Sequence, residues 1–167
     1  MINKLMPVNM KKENLVKTAS ALNPPSSEAI AEFSEKADGM ITILNQRFST
    51  RKDIEQLIGP GNLDMMHENH RNHVRFMISL YNEYDPNVFT ETVLWVFRAY
   101  RSHGFKLTYW PAQLDNWVEI FKNELSPECF NQIYPFYHWM IVNNPIFATI
   151  SDQVIFDDAK PPIGKHE

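Results

Sequence analysis

The chain has 167 residues, 44% of them hydrophobic, enough to bury one sizeable core and short for two domains. Sixteen Lys and Arg against twenty Asp and Glu give a formal net charge of -4, which excludes the broad basic field that nucleic acid or an anionic membrane surface requires. The single cysteine, Cys129, rules out an intramolecular disulfide, and no apolar run reaches the length of a membrane span or a signal-peptide core, so a cytoplasmic protein is expected.

Residues 1–25 mix Lys, Asn and Pro around a short helical stretch, KKENLVKTASAL, and read as an N-terminal extension. The prolines of NPPSS stop that helix and its serines can cap the next, which starts the domain at residue 26. From residue 27 to 48, Ile30, Phe33, Ala37, Met40, Ile41, Leu44 and Phe48 recur three or four apart, the stripe of an amphipathic helix. TRKDIEQLI, with Thr50 as its cap, predicts a shorter helix. GPGN at residues 59–62 forces a turn, since glycine admits positive φ and proline blocks helix continuation.

Residues 63–84 carry the helical period through Leu63, Met66, Val74, Met77, Leu80 and Tyr81, with His70 on the same stripe, until YDPN breaks it. Residues 86–103 place Phe89, Val93, Val96, Phe97 and Tyr100 on one face; Leu94 and Trp95 widen it, His103 continues it, and Gly104 stops it. The next face holds Trp110, Leu114, Trp117, Val118, Phe121 and Leu125. Ser126 and Pro127 then open a last helix through Phe130, Ile133, Tyr137, Met140 and Ile141, interrupted at Pro135 and ending near the NNP of residues 143–145. Residues 151–167 lack a period and read as a mobile tail. Only DQVIF hints at a strand, so the expected fold is all-α, a single domain over residues 26–150.

The stretch MHENHRNHVRF, residues 66–76, holds three of the six histidines. A zinc-protease helix needs His-Glu-x-x-His, which puts two imidazoles on one face, but four residues after His67 stands Arg71. His67, His70 and His73 are each three apart and drift around the helix, so no metal site is expected. HENHRN misses the spacing of a kinase phosphoacceptor box by one residue, and glycine-rich ATP-binding segments are absent. With no G-x-S-x-G, and Cys129 beside Phe130 at a helix start, no enzyme is expected.

The segment LYNEYDPNVFTETVLWVFRAYRSHGFKLTYWPAQLDNWVEIFKNELSPECFNQIYPFYHWMIV resembles the second half of a bacterial globin. A helix follows an Asp-Pro break; HGFKLTYWPAQLDNWVEIF then stands in place of the globin pattern Gly-Val-x-Pro-x-His-Tyr-x-x-Val-Gly-x-x-Leu; an SPE linker leads to an aromatic last helix. The resemblance covers residues 27–148 and is strongest over 84–140. In bacterial haem globins an iron-binding histidine lies four residues before that glycine; here Tyr100 does, and His103 adjoins Gly104. That departure resembles the haem-less sensor globins of bacterial stress and sporulation signalling, among them the stand-alone sporulation-inhibitory sensor-domain proteins of bacilli.

The resemblance implies a globin-like sensor domain whose pocket lies between the helices of residues 62–84 and 86–103. His70, Met66, Val74, Met77, Phe97, Tyr100, His103 and Trp117, with Phe121, would line it. His70, Arg71 and Arg75 would meet a carboxylate, a halide or another anion. The ligand implied is a fatty acid or a similar apolar small molecule, with no cofactor. The output implied is contact: a homodimer through the last two helices, and competition with a sensor histidine kinase for its signal or partner, as in sporulation inhibition. The aromatic wealth of the last helices fits either that dimer or the volume of a missing haem. The alternative is a haem globin for a diatomic gas, with His103 proximal and His70 distal. Which of His67, His70 and His73 faces inward stays open, because a one-residue phase error exchanges them.

Overall fold

A computed structural model describes residues 6–158, with side chains to residue 153. Among the described residues there are seven helices and no strand: α1 (Val8–Ala19), α2 (Ser27–Ser49), α3 (Ile54–Ile58), α4 (Leu63–Asn82), α5 (Pro86–Ser102), α6 (Tyr109–Glu124) and α7 (Pro127–Asp158). The all-α expectation holds, and DQVIF lies within α7 rather than in a strand. No helix of the described residues is long and apolar enough to cross a membrane.

Local chemistry sets most boundaries. Ser26 caps α2 by accepting from the Ala29 N–H, Asp85 caps α5 by accepting from Asn87 N and Val88 N, with Pro86 in the first turn, and Ser126 accepts from Cys129 N at the start of α7. Thr50, expected to cap the short helix, instead closes α2, and Asp53 precedes α3. The turn after α3 is pinned to the α5–α6 corner: Asn62 Nδ2 donates to Ile58 O at 2.7 Å and His103 O at 2.8 Å. Gly59 and Gly104 face each other there at φ 82° and 103°, and a Cβ on Gly59 would meet Gly104 O at 3.2 Å.

Helix α2 packs on α4, α6 and α7, while α7 also carries α6, α5 and α1. The core between them is strongly aromatic, centred on Phe33, Phe121, Tyr137, Tyr81 and Phe136 in edge-to-face contacts.

Two expected boundaries are corrected. The segment read as an N-terminal extension belongs to the body. Its helix α1 packs on α5 and α7, buries Leu15 and Ala19, receives the Trp139 Nε1–H on Thr18 Oγ1 at 2.9 Å, and offers the Ala19 carbonyl to the Tyr84 hydroxyl. Helix α7 is neither interrupted at Pro135 nor finished at residues 143–145; it passes both Pro135 and Pro145 and continues past the start of the expected tail, whose residues 159–167 lie outside the described residues. Each proline removes one helical hydrogen bond, yet both are exposed. Burial of Phe136, Tyr137, Trp139, Met140, Phe147 and Ile150 offsets the loss.

Candidate functional site

Helix α4 presents two inward stripes. Of the stripe read from the sequence, Met66, His70, Val74, Met77, Leu80 and Tyr81 are buried against the core, whereas Leu63 at its start is exposed. Asn69, His73 and Phe76, each one position before His70, Val74 and Met77, form a second stripe with Asn72 and line a cavity of about 270 Å³. Helix α5 supplies the opposite wall with Thr92, Val93, Trp95, Val96, Phe97 and Tyr100. The first turns of α6 give Trp110, Gln113 and Leu114, and α7 closes the cavity with Met140, Asn144 and Phe147. Trp95 is 58% exposed and Asn72 is exposed too, so the mouth lies between them, over the α4–α5 seam.

Of the residues expected at the site, Met77, Phe97 and Tyr100 line this cavity. Met66, His70, Val74 and Trp117, with Phe121, are buried in the core behind the wall. Arg71 and Arg75 are exposed, and His103 is the exposed residue that ends α5. His67 stands at the other edge of α4, with Nε2 2.9 Å from Ser49 Oγ. The inward imidazole at the cavity is therefore His73, the phase alternative to His70. Asn69, Gln113 and Asn144 had no place among the expected site residues, and Trp110 figured only on the apolar face of α6. Polar residues on a helix read as solvated until a neighbour is known to cover them.

His70 is locked rather than available. Its Nδ1 lies 2.7 Å from Asn45 Oδ1 and its Nε2 3.0 Å from the Tyr109 hydroxyl. The hydroxyl is 2.8 Å from Asn69 Oδ1, and Gln113 Nε2 donates to Asn69 Oδ1 at 2.7 Å and to the Tyr109 oxygen at 3.2 Å. Tyr109 has one proton and two acceptors at hand, so its bond follows the tautomer of His70. Through Asn69 and Gln113 this buried network reaches the cavity wall.

Burial governs the electrostatics. It pushes His70 down to about 3, with the neighbouring His73 and His67 adding to the effect, and pushes His73 down to about 4. Both imidazoles are neutral at pH 7. His73 Nε2 sits 2.6 Å from the Tyr137 hydroxyl, and its ring stacks on Trp117 at 5.8 Å. Burial also raises Tyr100, which therefore stays a phenol.

These residues do not fit a haem. His103 is outside the cavity, His70 has both nitrogens engaged, and the two do not flank one space. Among the described residues no cluster of three or more His, Cys, Asp or Glu could hold a metal ion. No family model matches the chain, and no similar curated protein or solved structure was found.

Proposed function

We propose that the chain is a ligand-binding sensor module of the haem-less globin type, taking up a small, largely apolar molecule and acting by contact. The observation that carries this is the cavity of about 270 Å³ among α4, α5, α6 and α7, with apolar and aromatic walls and a few convergent polar side chains. Binding sites have that make-up, usually at about 300–1,000 Å³, so the ligand is small. At roughly 30 Å³ for each water-sized group, it holds about nine non-hydrogen atoms. A chain of about eight carbons, as in a short fatty acid, would contribute about 6 kcal/mol by leaving water, before the cost of immobilising it.

The output follows from the resemblance: competition with a sensor histidine kinase for signal or partner, and pairing of two copies through α6 and α7. Tyr134, His138 and Val142 form an exposed stripe on α7 suited to such a contact.

The test is xenon-129 NMR on the wild type and on Val96→Phe, which fills the cavity, together with mass spectrometry of organic extracts of the purified protein. Saturable xenon entry that the variant abolishes is expected. Exclusion of xenon from the wild type, with no molecule extracted, would sink the reading.

A further inference from the structure

Tyr100 lines the cavity from α5, and its hydroxyl reaches across the seam to Asn69 and Asn72 of α4, which line it too. The ring is held edge-on by Phe105 at 5.1 Å and by Trp110 at 6.0 Å. Tyr100 is half-buried, and its hydroxyl, unlike that of Tyr81, is not sealed from water.

Burial raises the pKa of this hydroxyl, the Asn69 amide lowers it, the Glu68 charge raises it and the Asn72 amide lowers it. An amide lowers a phenol's pKa by turning an N–H toward its oxygen. Asn69 has only its N–H to offer there, since Tyr109 and Gln113 engage its Oδ1 at 2.8 Å and 2.7 Å. The Tyr100 oxygen therefore faces donors, and its own proton is left for whatever enters the cavity. Glu68 acts on the hydroxyl as a charge and not as a hydrogen-bond partner.

The wall also lacks charge. No Lys, Arg, Asp or Glu lines it among the described residues. His73 is held neutral by burial, and Arg71 and Arg75 are exposed and outside the lining. A carboxylate or an ammonium entering here would lose its hydration and meet no counter-charge in the wall, and Glu68 repels the first.

We infer that Tyr100 selects the ligand: its O–H donates to an acceptor oxygen, above all the carbonyl of a ketone or an ester, on an uncharged and otherwise apolar body. The inference rests on reading this cavity as a ligand site and narrows the class of ligand. A short fatty acid enters as the protonated acid, so its affinity falls about tenfold for each pH unit above its own pKa.

The test is calorimetry at pH 7 with compounds of one shape: acetophenone, cumene, benzoate and benzamidinium. Benzyl alcohol runs alongside as a second neutral acceptor. Benzoate and benzamidinium are expected to bind about tenfold more weakly than acetophenone, or not at all. Tyr100→Phe, which removes only the hydroxyl, should weaken acetophenone and benzyl alcohol about fivefold and leave cumene unchanged within about twofold. The infrared carbonyl stretch of bound acetophenone reads the bond itself. It should lie below its position in alkane and return toward it in the variant. If the variant fails to fold, the stretch in the wild type and the comparison with the two ions decide. An alkane-like stretch in the wild type, an ion binding as tightly as acetophenone, or a stretch or affinity that the variant does not move overturns the inference and leaves the ligand site standing. Failure of acetophenone to bind while cumene or xenon enters does the same. If xenon is excluded as well, the site itself is gone, and the inference with it.

Discussion

Two histidines three residues apart on α4 meet opposite surroundings. His70 faces α2 and α6, is wholly buried, and has a partner on each ring nitrogen in a network that runs through Asn45, Tyr109, Asn69 and Gln113. His73 faces the cavity, with the Tyr137 hydroxyl on one nitrogen and Trp117 against its ring. The first side is a closed hydrogen-bonded unit that fixes how α4 sits on the core. The second side opens on a cavity walled by α5, α6 and α7. A polar residue on an inward helix face thus has two fates, and the neighbouring helices decide between them.

The strongest way to probe both sides together is acid. Each histidine is neutral in the fold, with its pKa lowered to about 3 and about 4, whereas the unfolded chain protonates near 6.5. The unfolded state therefore binds more protons over that interval. Stability is complete above pH 6.5 and falls as the pH drops toward 4 and 3, by about 1.4 kcal/mol per pH unit for each histidine. Between pH 7 and pH 4 the loss is about 6 kcal/mol, a large part of a domain's usual stability. Urea unfolding across that range should show it, and replacing either histidine with Gln should halve the slope. A stability flat from pH 7 to pH 5 would mean that neither imidazole is buried as described.

Truncation should separate the two sides. His70→Ala leaves Asn45 Oδ1 without its partner, takes one of three partners from Tyr109 and opens a void in a buried core, and should cost about 3 kcal/mol. His73→Ala opens onto the cavity, where water can follow, and should cost about 1 kcal/mol less. Chemical denaturation of the pair checks the order; if His73 proves the costlier, the contrast between the two sides fails. The hydroxyls offer a gentler version. Tyr109→Phe removes a group that bridges His70, Asn69 and Gln113 and should cost about 2 kcal/mol, against about 1 kcal/mol for Tyr137→Phe, which deprives only His73.

The same contrast marks how far the sequence could be read. Apolar periodicity located α2, α4, α5 and α6 to within a residue or two, because the residues that carry it are the ones the core buries. It put Met77, Phe97 and Tyr100 on apolar helix faces, and the globin resemblance then implied a pocket for them; in the structure these three line the cavity. It chose His70 over His73 because His70 shares its stripe with Met66 and Val74, and that stripe is simply the more deeply buried one. Asn69 and Gln113 could not be found this way, since their burial depends on neighbouring helices arriving across from them. The length of α7 was hidden for a related reason: Pro135 and Pro145 break a helix by local rule, and only the packing of the aromatic residues around them carries it through.

The smallest expected effect bears most directly on the ligand. Arg71 and Arg75 are exposed on α4, outside the lining of the cavity. An exposed arginine without a buried partner contributes little to stability, so the double variant Arg71→Ala, Arg75→Ala should stay within about 0.5 kcal/mol of the wild type. Its affinity for an uncharged ligand should be unchanged, because screened charges at the surface act little on a neutral molecule behind Asn72 and Trp95. Calorimetry with benzyl alcohol and with benzoate on this variant reads both at once. A loss of benzoate binding that the wild type possesses would return the anion to the site and make the arginines its clamp. If both affinities are unmoved, α4 keeps its charges on the outside and uses only neutral groups within.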